Sequence, residues 1–210
     1  MFKQARNVLL ICLGITALSI IFLISSSAAY SGMSSDQRFQ YAMKTIIKHE
    51  GGLSENKDDP GGVTAYGISL RYIKSAHLCI DGDCSDSANE IIHLTLTDAD
   101  QIYYRNWYEH YHYDKIKNED LLTDIMDFSI NAGSCEAHKL IQRAINNIDN
   151  QNRIANCVLT QKTIDKINSL EPIIFHSAFQ QEQTDFYKQI VRRNPHLKVF
   201  LKGWLRRIGD

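Results

Sequence analysis

Residues 39–69 read FQYAMKTIIKHEGGLSENKDDPGGVTAYGIS. Phe39, Ala42, Met43, Ile46 and Ile47 recur at the spacing of an amphipathic helix, with Ser34 or Ser35 upstream as its N-cap. Glu50 follows Ile47, Ile46, Met43 and Phe39 by three, four, seven and eleven residues. A helix that persists this far therefore carries its last carboxylate on its apolar face, an unusual place for a glutamate. Gly51 and Gly52 then stop the helix, DDPGG makes a turn, and VTAYGIS reads as a short β-like segment.

Two carboxylates in contrasting surroundings are what glycosidic bond hydrolysis asks for. One must keep its proton near neutral pH to give to the leaving oxygen, and a second group must hold or activate what attacks the sugar. Burial disfavours the charged form of a carboxyl, so Glu50 is expected to be the acid, and Asp59, in a wetter glycine-rich turn, the ionised partner. Gly61 and Gly62 keep side chains away from a cleft wall, and the Thr64 hydroxyl is placed to hold a water. The structural alternative is a plain helix end, with Glu50 paired to Lys48 or His49 and Asp59 capping its own turn.

The rest of the 210-residue chain is patterned for helices. LTDADQIYYRNWYEHYHY opens one, with Thr97 as its cap, and others are expected at 119–132, 136–148, about 161–170, 172–193 and 197–208, with 149–160 as a loop. One small hairpin among many helices gives a mainly α, α+β architecture. A hydrophobic content of 44% is enough for one domain or two small lobes sharing an interface. The formal net charge is −1, and no basic tract points to nucleic acid as a partner. The chain is expected to be a monomer.

Lys3 and Arg6, an apolar run from Val8 to Ile24 and the small residues SSSAAYSG form a targeting segment over residues 1–29. It is either cleaved after Ala29 or kept as a membrane anchor, the only membrane contact expected. Both readings export residues 30–210, to the periplasm or to its side of the inner membrane. Without the leader, 21 basic residues face 24 acidic ones. Four cysteines then remain, Cys79, Cys84, Cys135 and Cys157, which allow three disulfide connectivities. The short loop CIDGDC favours Cys79–Cys84, leaving Cys135 with Cys157; buried free thiols are the alternative.

HEGGLSENKDDPGGVTAYGIS closely resembles the E-G-G…D-P-G-G-x-T-x-x-G-I signature of glycoside hydrolase family 108, bacterial and phage N-acetylmuramidases. LTLTDADQIYYRNWY, DIMDFSINAG, LIQRAI and FLKGWLRRI resemble further segments of that family in the same order, so the similarity runs from about Phe39 to Ile208. The resemblance implies a lysozyme-like helical fold that cuts the β-1,4 bond between N-acetylmuramic acid and N-acetylglucosamine in peptidoglycan glycan strands, without a cofactor. It implies Glu50 as the catalytic acid. Asp59 and Thr64 sit like the second carboxylate and the threonine of the phage-lysozyme E…D…T pattern, with one residue fewer before the threonine. Tyr66 and Asn131 match family positions expected near the cleft, as a stacking ring and a hydrogen-bonding amide. The implied division is a catalytic lobe at 34–132 and a helical lobe at 133–210. The latter resembles a degenerate peptidoglycan-binding segment, since DNQNRIANCVLTQKT lacks the family's D-G…G-P and keeps only Thr163.

Other chemistries fit less well. Leu53 stands where H-E-x-x-H zinc binding needs a second histidine, so no metal is expected. A cysteine-dependent wall peptidase would suit an exported chain, but no local pattern activates a cysteine. A non-catalytic wall-binding or secretion-accessory protein on the same fold is the alternative from another class. Lysis and wall remodelling for release or secretion both require the same bond to be cut.

Overall fold

Ser34 opens the first helix, α1 (Ser35–Glu50), through a capping box with Gln37. Phe39, Ala42, Met43 and Ile46 are buried along one face, as their spacing requires. The structure, a computed structural model, describes residues 32–51, 63–76 and 91–209. The leader, Asp59, Gly61, Gly62 and the Cys79–Cys84 pairing lie outside the described residues. Past α1, strands β1 (Thr64–Ala65) and β2 (Ile68–Ser69) form an antiparallel hairpin with Thr64 opposite Ser69 and Ala65 opposite Ile68. Helix α2 (Leu70–Ala76) follows directly.

Helix α3 (Leu96–Tyr103) starts two residues earlier than the cap expected at Thr97. Thr95 is the N-cap: its hydroxyl accepts from the Asp98 amide while Asp98 Oδ2 accepts from the Thr95 amide. Thr97 has an aspartate three residues on as well, but only the Thr95 register puts buried Leu94 and buried Ala99 at the two positions of a hydrophobic staple. The chain continues through a π-helical turn (Tyr104–Glu109), which buries Tyr108 as α3 buries Tyr103.

Helices α4 (Glu119–Ala132) and α5 (Ser134–Ile148) meet at Gly133, where the sequence divides into its two expected lobes. Both belong to one compact unit that spans Met33–Asp210. Then come α6 (Gln161–Ser169), α7 (Pro172–Arg193) and α8 (Lys198–Gly209). Pro172 sits at the first helical position of α7, where its missing N–H costs nothing.

Packing makes α4 the centre. It lies against both α1 and α5, while α7 bridges α5 and α8. Leu121, Leu122, Ile125, Met126 and Phe128 of α4 are all buried, but so are Thr123, Asp127 and Ser129. A helix apolar on most sides belongs in a core; a buried acid on it must be paired. Cys135 and Cys157 form a disulfide that ties the first turn of α5 to the segment before α6, the pairing that remains if Cys79 joins Cys84.

Candidate active site

Helix α1 ends where its sequence says it must. Gly51 takes φ +76°, its amide bonded to the Ile47 carbonyl, and Glu50 is the last helical residue. Its side chain is 16% exposed, close beneath the surface on the face expected from the helical phase. The hairpin comes down on it. The two turn residues, Tyr66 and Gly67, both have positive φ, +51° and +79°, the pattern of a tight two-residue hairpin turn. Glycine is required at 67 for a second reason: a Cβ there would lie 2.6 Å from Glu50 Oε2 and 2.7 Å from the Tyr103 hydroxyl. Tyr103 Oη donates to the Tyr66 carbonyl at 2.9 Å, pinning the turn over the carboxylate. Burial pushes the Tyr103 pKa up, and the Glu50 charge adds to the effect, so this phenol stays a neutral donor.

Glu50 is not the solitary carboxyl its sequence context suggests. Arg207, in the last turn of α8, donates through Nη2 to Glu50 Oε1. The same guanidinium grips Asp127 of α4 bidentately, Nε to Oδ2 at 2.7 Å and Nη2 to Oδ1 at 2.8 Å. His49 Nδ1 lies 3.1 Å from Asp127 Oδ1. Asp127 is thus the buried acid that α4 needs paired, and Arg207 is shared between it and Glu50. Burial pulls the Arg207 pKa down, but the hydrogen bonds and charge of Asp127, with the Glu50 charge, outweigh it and push the pKa up. A guanidinium offers only donors, so Oε1 acts towards Arg207 as an acceptor, and Oε2 is the Glu50 oxygen beside the turn at Gly67.

Of the other residues expected at the site, Thr64 and Tyr66 lie on the hairpin that covers Glu50. Asn131 lies near the end of α4, and its Nδ2 donates to the Tyr187 hydroxyl at 2.5 Å. Tyr187 stacks on Trp204 at 5.0 Å, and burial pushes its pKa up to about 12. Asn131 and Trp204 line an open groove of about 530 Å³ with Lys48, His49, Arg206 and Arg207. Tyr103 and Tyr108 are core residues, and Trp107 packs against Tyr72 and Tyr103. Sequence reasoning missed Arg207, Asp127 and Gly67. Asp127 and Gly67 each carried a signal, an acid between the core residues Met126 and Phe128 and a glycine in a two-residue turn; Arg207 carried none that separates it from Arg206.

Residues 43–133 match the family model of glycosyl hydrolase 108. The match spans the second half of α1, the hairpin and α4. Among solved structures, that of Brucella abortus SagA matches with a TM-score of 0.64 and 23% identity, over 81% of this chain and 89% of that one. It shows the fold, the mainly α, lysozyme-like arrangement expected from the sequence. A comparison with curated proteins gives no match.

Proposed function

We propose that this chain, a glycosyl hydrolase 108 sequence over residues 43–133, is an N-acetylmuramidase that cuts the β-1,4 bond from N-acetylmuramic acid to N-acetylglucosamine, with Glu50 as general acid. The observation that carries the proposal is the placement of Glu50: a helix-terminal carboxylate close to the surface, under a hairpin whose glycine leaves it room. Glu50 gives the proton on Oε2 to the leaving glycosidic oxygen. The negative charge that then develops on the carboxylate meets the Arg207 guanidinium already donating to Oε1, a preorganised donor that needs no rearrangement. Asp127, holding the other edge of Arg207, fixes where that donor points.

By the family resemblance, Asp59 and Thr64 handle the far face of the sugar, stabilising positive charge at the anomeric carbon and positioning the water. With residues 1–29 read as a targeting segment, the proposed activity lies outside the inner membrane, in the periplasm or anchored facing it, where the glycan strands lie. Among the described residues no helix is long and apolar enough to cross a membrane.

The test is release of reducing sugars from purified peptidoglycan by the protein, with Glu50→Gln beside it. Wild type releases them, and the variant, which keeps the shape but has no proton to give, falls by roughly 10²–10⁴-fold. A wild type without turnover contradicts the hydrolase. A variant as active as wild type contradicts the role of Glu50.

A further inference from the structure

The groove beside Glu50 has a chemistry of its own. Its walls are the last turns of α1 and α8, which bring Lys48, Arg206 and Arg207 to one opening with Trp204 as an apolar flank. No carboxylate is among the described residues that line it. Arg207 is already committed to Asp127 and Glu50. Lys48 and Arg206 are exposed, and neither makes an ion pair or hydrogen bond to another described residue. The acids of this region, Asp120, Asp124 and Asp127, line a separate cavity of about 230 Å³. His49 and Arg207 line both cavities and stand between the acidic one and the basic one.

The floor of the groove is open for a reason visible in the sequence. Gly203 sits inside α8, where glycine is a poor helix residue, and a Cβ added to it would meet nothing within 4 Å. No neighbour requires the glycine. What a side chain there would occupy is the groove, whose volume of about 530 Å³ is that of a small-ligand cleft.

We infer that this groove binds the carboxylate carried on the lactyl arm of a muramyl residue, the lactyl group's own where that is free or the peptide stem's where an amide joins the stem to it, and so seats that residue beside Glu50. The inference rests on the peptidoglycan reading and adds to it the part of the substrate that is recognised. A neutral N-acetylglucosamine polymer offers Lys48 and Arg206 nothing; a strand with an anion on alternate sugars offers each cation a partner, one residue away from the acid. Cations in a last helical turn also complement the helix dipole. That role acts on stability alone and leaves substrate preference untouched.

The experiment measures binding separately from turnover. Glu50→Gln protein is co-sedimented with intact sacculi and with chitin, and captured on bead-immobilised glycan strands stripped of peptide stems by an amidase, in that background and with Lys48→Ala/Arg206→Ala added. Sacculus binding should weaken about tenfold in the added double variant and, in its parent, weaken as salt rises, while chitin binding is the same for both. The amidase removes the stem and frees the lactyl carboxylate, so if the stem supplies the anion the tenfold loss disappears on stripped strands, and if the lactyl group does the loss is larger there than on intact sacculi. Gly203→Leu, better suited to a helix than glycine, should keep or raise Tm and still weaken sacculus binding. Equal sacculus binding with and without Lys48 and Arg206, or an equal loss on chitin, overturns the inference. Lys48- and Arg206-dependent binding by a protein that shows no turnover with Glu50 intact contradicts the hydrolase and leaves the groove standing.

Discussion

Two polar clusters are buried in this helical body, and they are built in opposite ways. One joins Glu50, Arg207, Asp127 and His49, from α1, α8 and α4, and opens on the groove. The other joins Tyr113, Ser129, Ser134, His138 and the Cys157 carbonyl. In the second, the Tyr113 hydroxyl is 3.0 Å from both Ser129 Oγ and His138 Nε2, and His138 Nδ1 is 2.7 Å from the Cys157 oxygen. A carbonyl only accepts, so Nδ1 carries the ring proton. Every member is neutral and has a partner, and a disulfide closes the cluster at Cys157. The first cluster instead shares one cation between two carboxylates. A neutral, satisfied network staples a fold; a charged one at the edge of a groove, with one guanidinium divided between two carboxylates, holds a carboxylate in a fixed place near the surface.

Cutting the two networks should therefore give different phenotypes. Arg207→Ala strands Asp127 in the core and should cost about 3–5 kcal/mol in denaturant unfolding, with loss of peptidoglycan turnover. Arg207→Lys, a point charge without the fork, should recover much of the stability and little of the activity. A Lys variant with full turnover would show that the bidentate grip on Asp127 does nothing for Glu50. Cys157→Ser, on the neutral side, should cost about 2–4 kcal/mol and leave turnover by the folded protein unchanged. Matching losses of stability and turnover there would erase the distinction between the clusters.

Gly67→Ala sharpens the comparison from the hairpin side. It should lose about 1–2 kcal/mol for the positive φ alone, plus whatever movement the 2.6 Å approach to Glu50 Oε2 forces. Its kcat should fall with the displaced carboxylate; unchanged kcat would place the working oxygen elsewhere.

The smallest effect is on pH dependence. Burial lowers the His138 pKa below its ordinary 6.5, only partly opposed by the bond to the Cys157 carbonyl. The unfolded chain then takes up a proton that the folded one refuses. This contribution to stability is present above about pH 6.5 and is lost as pH falls below it, until the lower folded pKa is reached. His138→Gln should flatten that limb in unfolding measured between pH 7.5 and 5.5. An identical limb in the variant would assign the dependence to other groups.

The contrast also marks what the sequence discloses. The phase of Phe39, Met43 and Ile46 placed Glu50 on its helix and face, and Pro172 and Pro195 bracketed α7 to the residue, because these signals are local. The start of α3 was misread because Thr95 and Thr97 both have an aspartate three residues on, and only burial of Leu94 separates them. The partner of Glu50 was out of reach for a different reason. Arg207 is 157 residues away, and neither its neighbour Arg206 nor any local motif says which of the two turns inward. Helix phase gave the face on which Glu50 lies; the guanidinium bonded to it comes from α8 and has no trace in that pattern. Asn131, expected to bond at the cleft, lines the groove, and its amide nitrogen bonds Tyr187.

The identity of the new reducing end tests the central proposal most directly. Peptidoglycan digested by the wild-type protein is reduced with borohydride, hydrolysed, and its sugar alcohols identified. A muramidase leaves muramic acid at the new end, so muramicitol should appear in proportion to bonds cut, and fall with Glu50→Gln. Glucosaminitol in its place, or no new reducing end, would contradict the account.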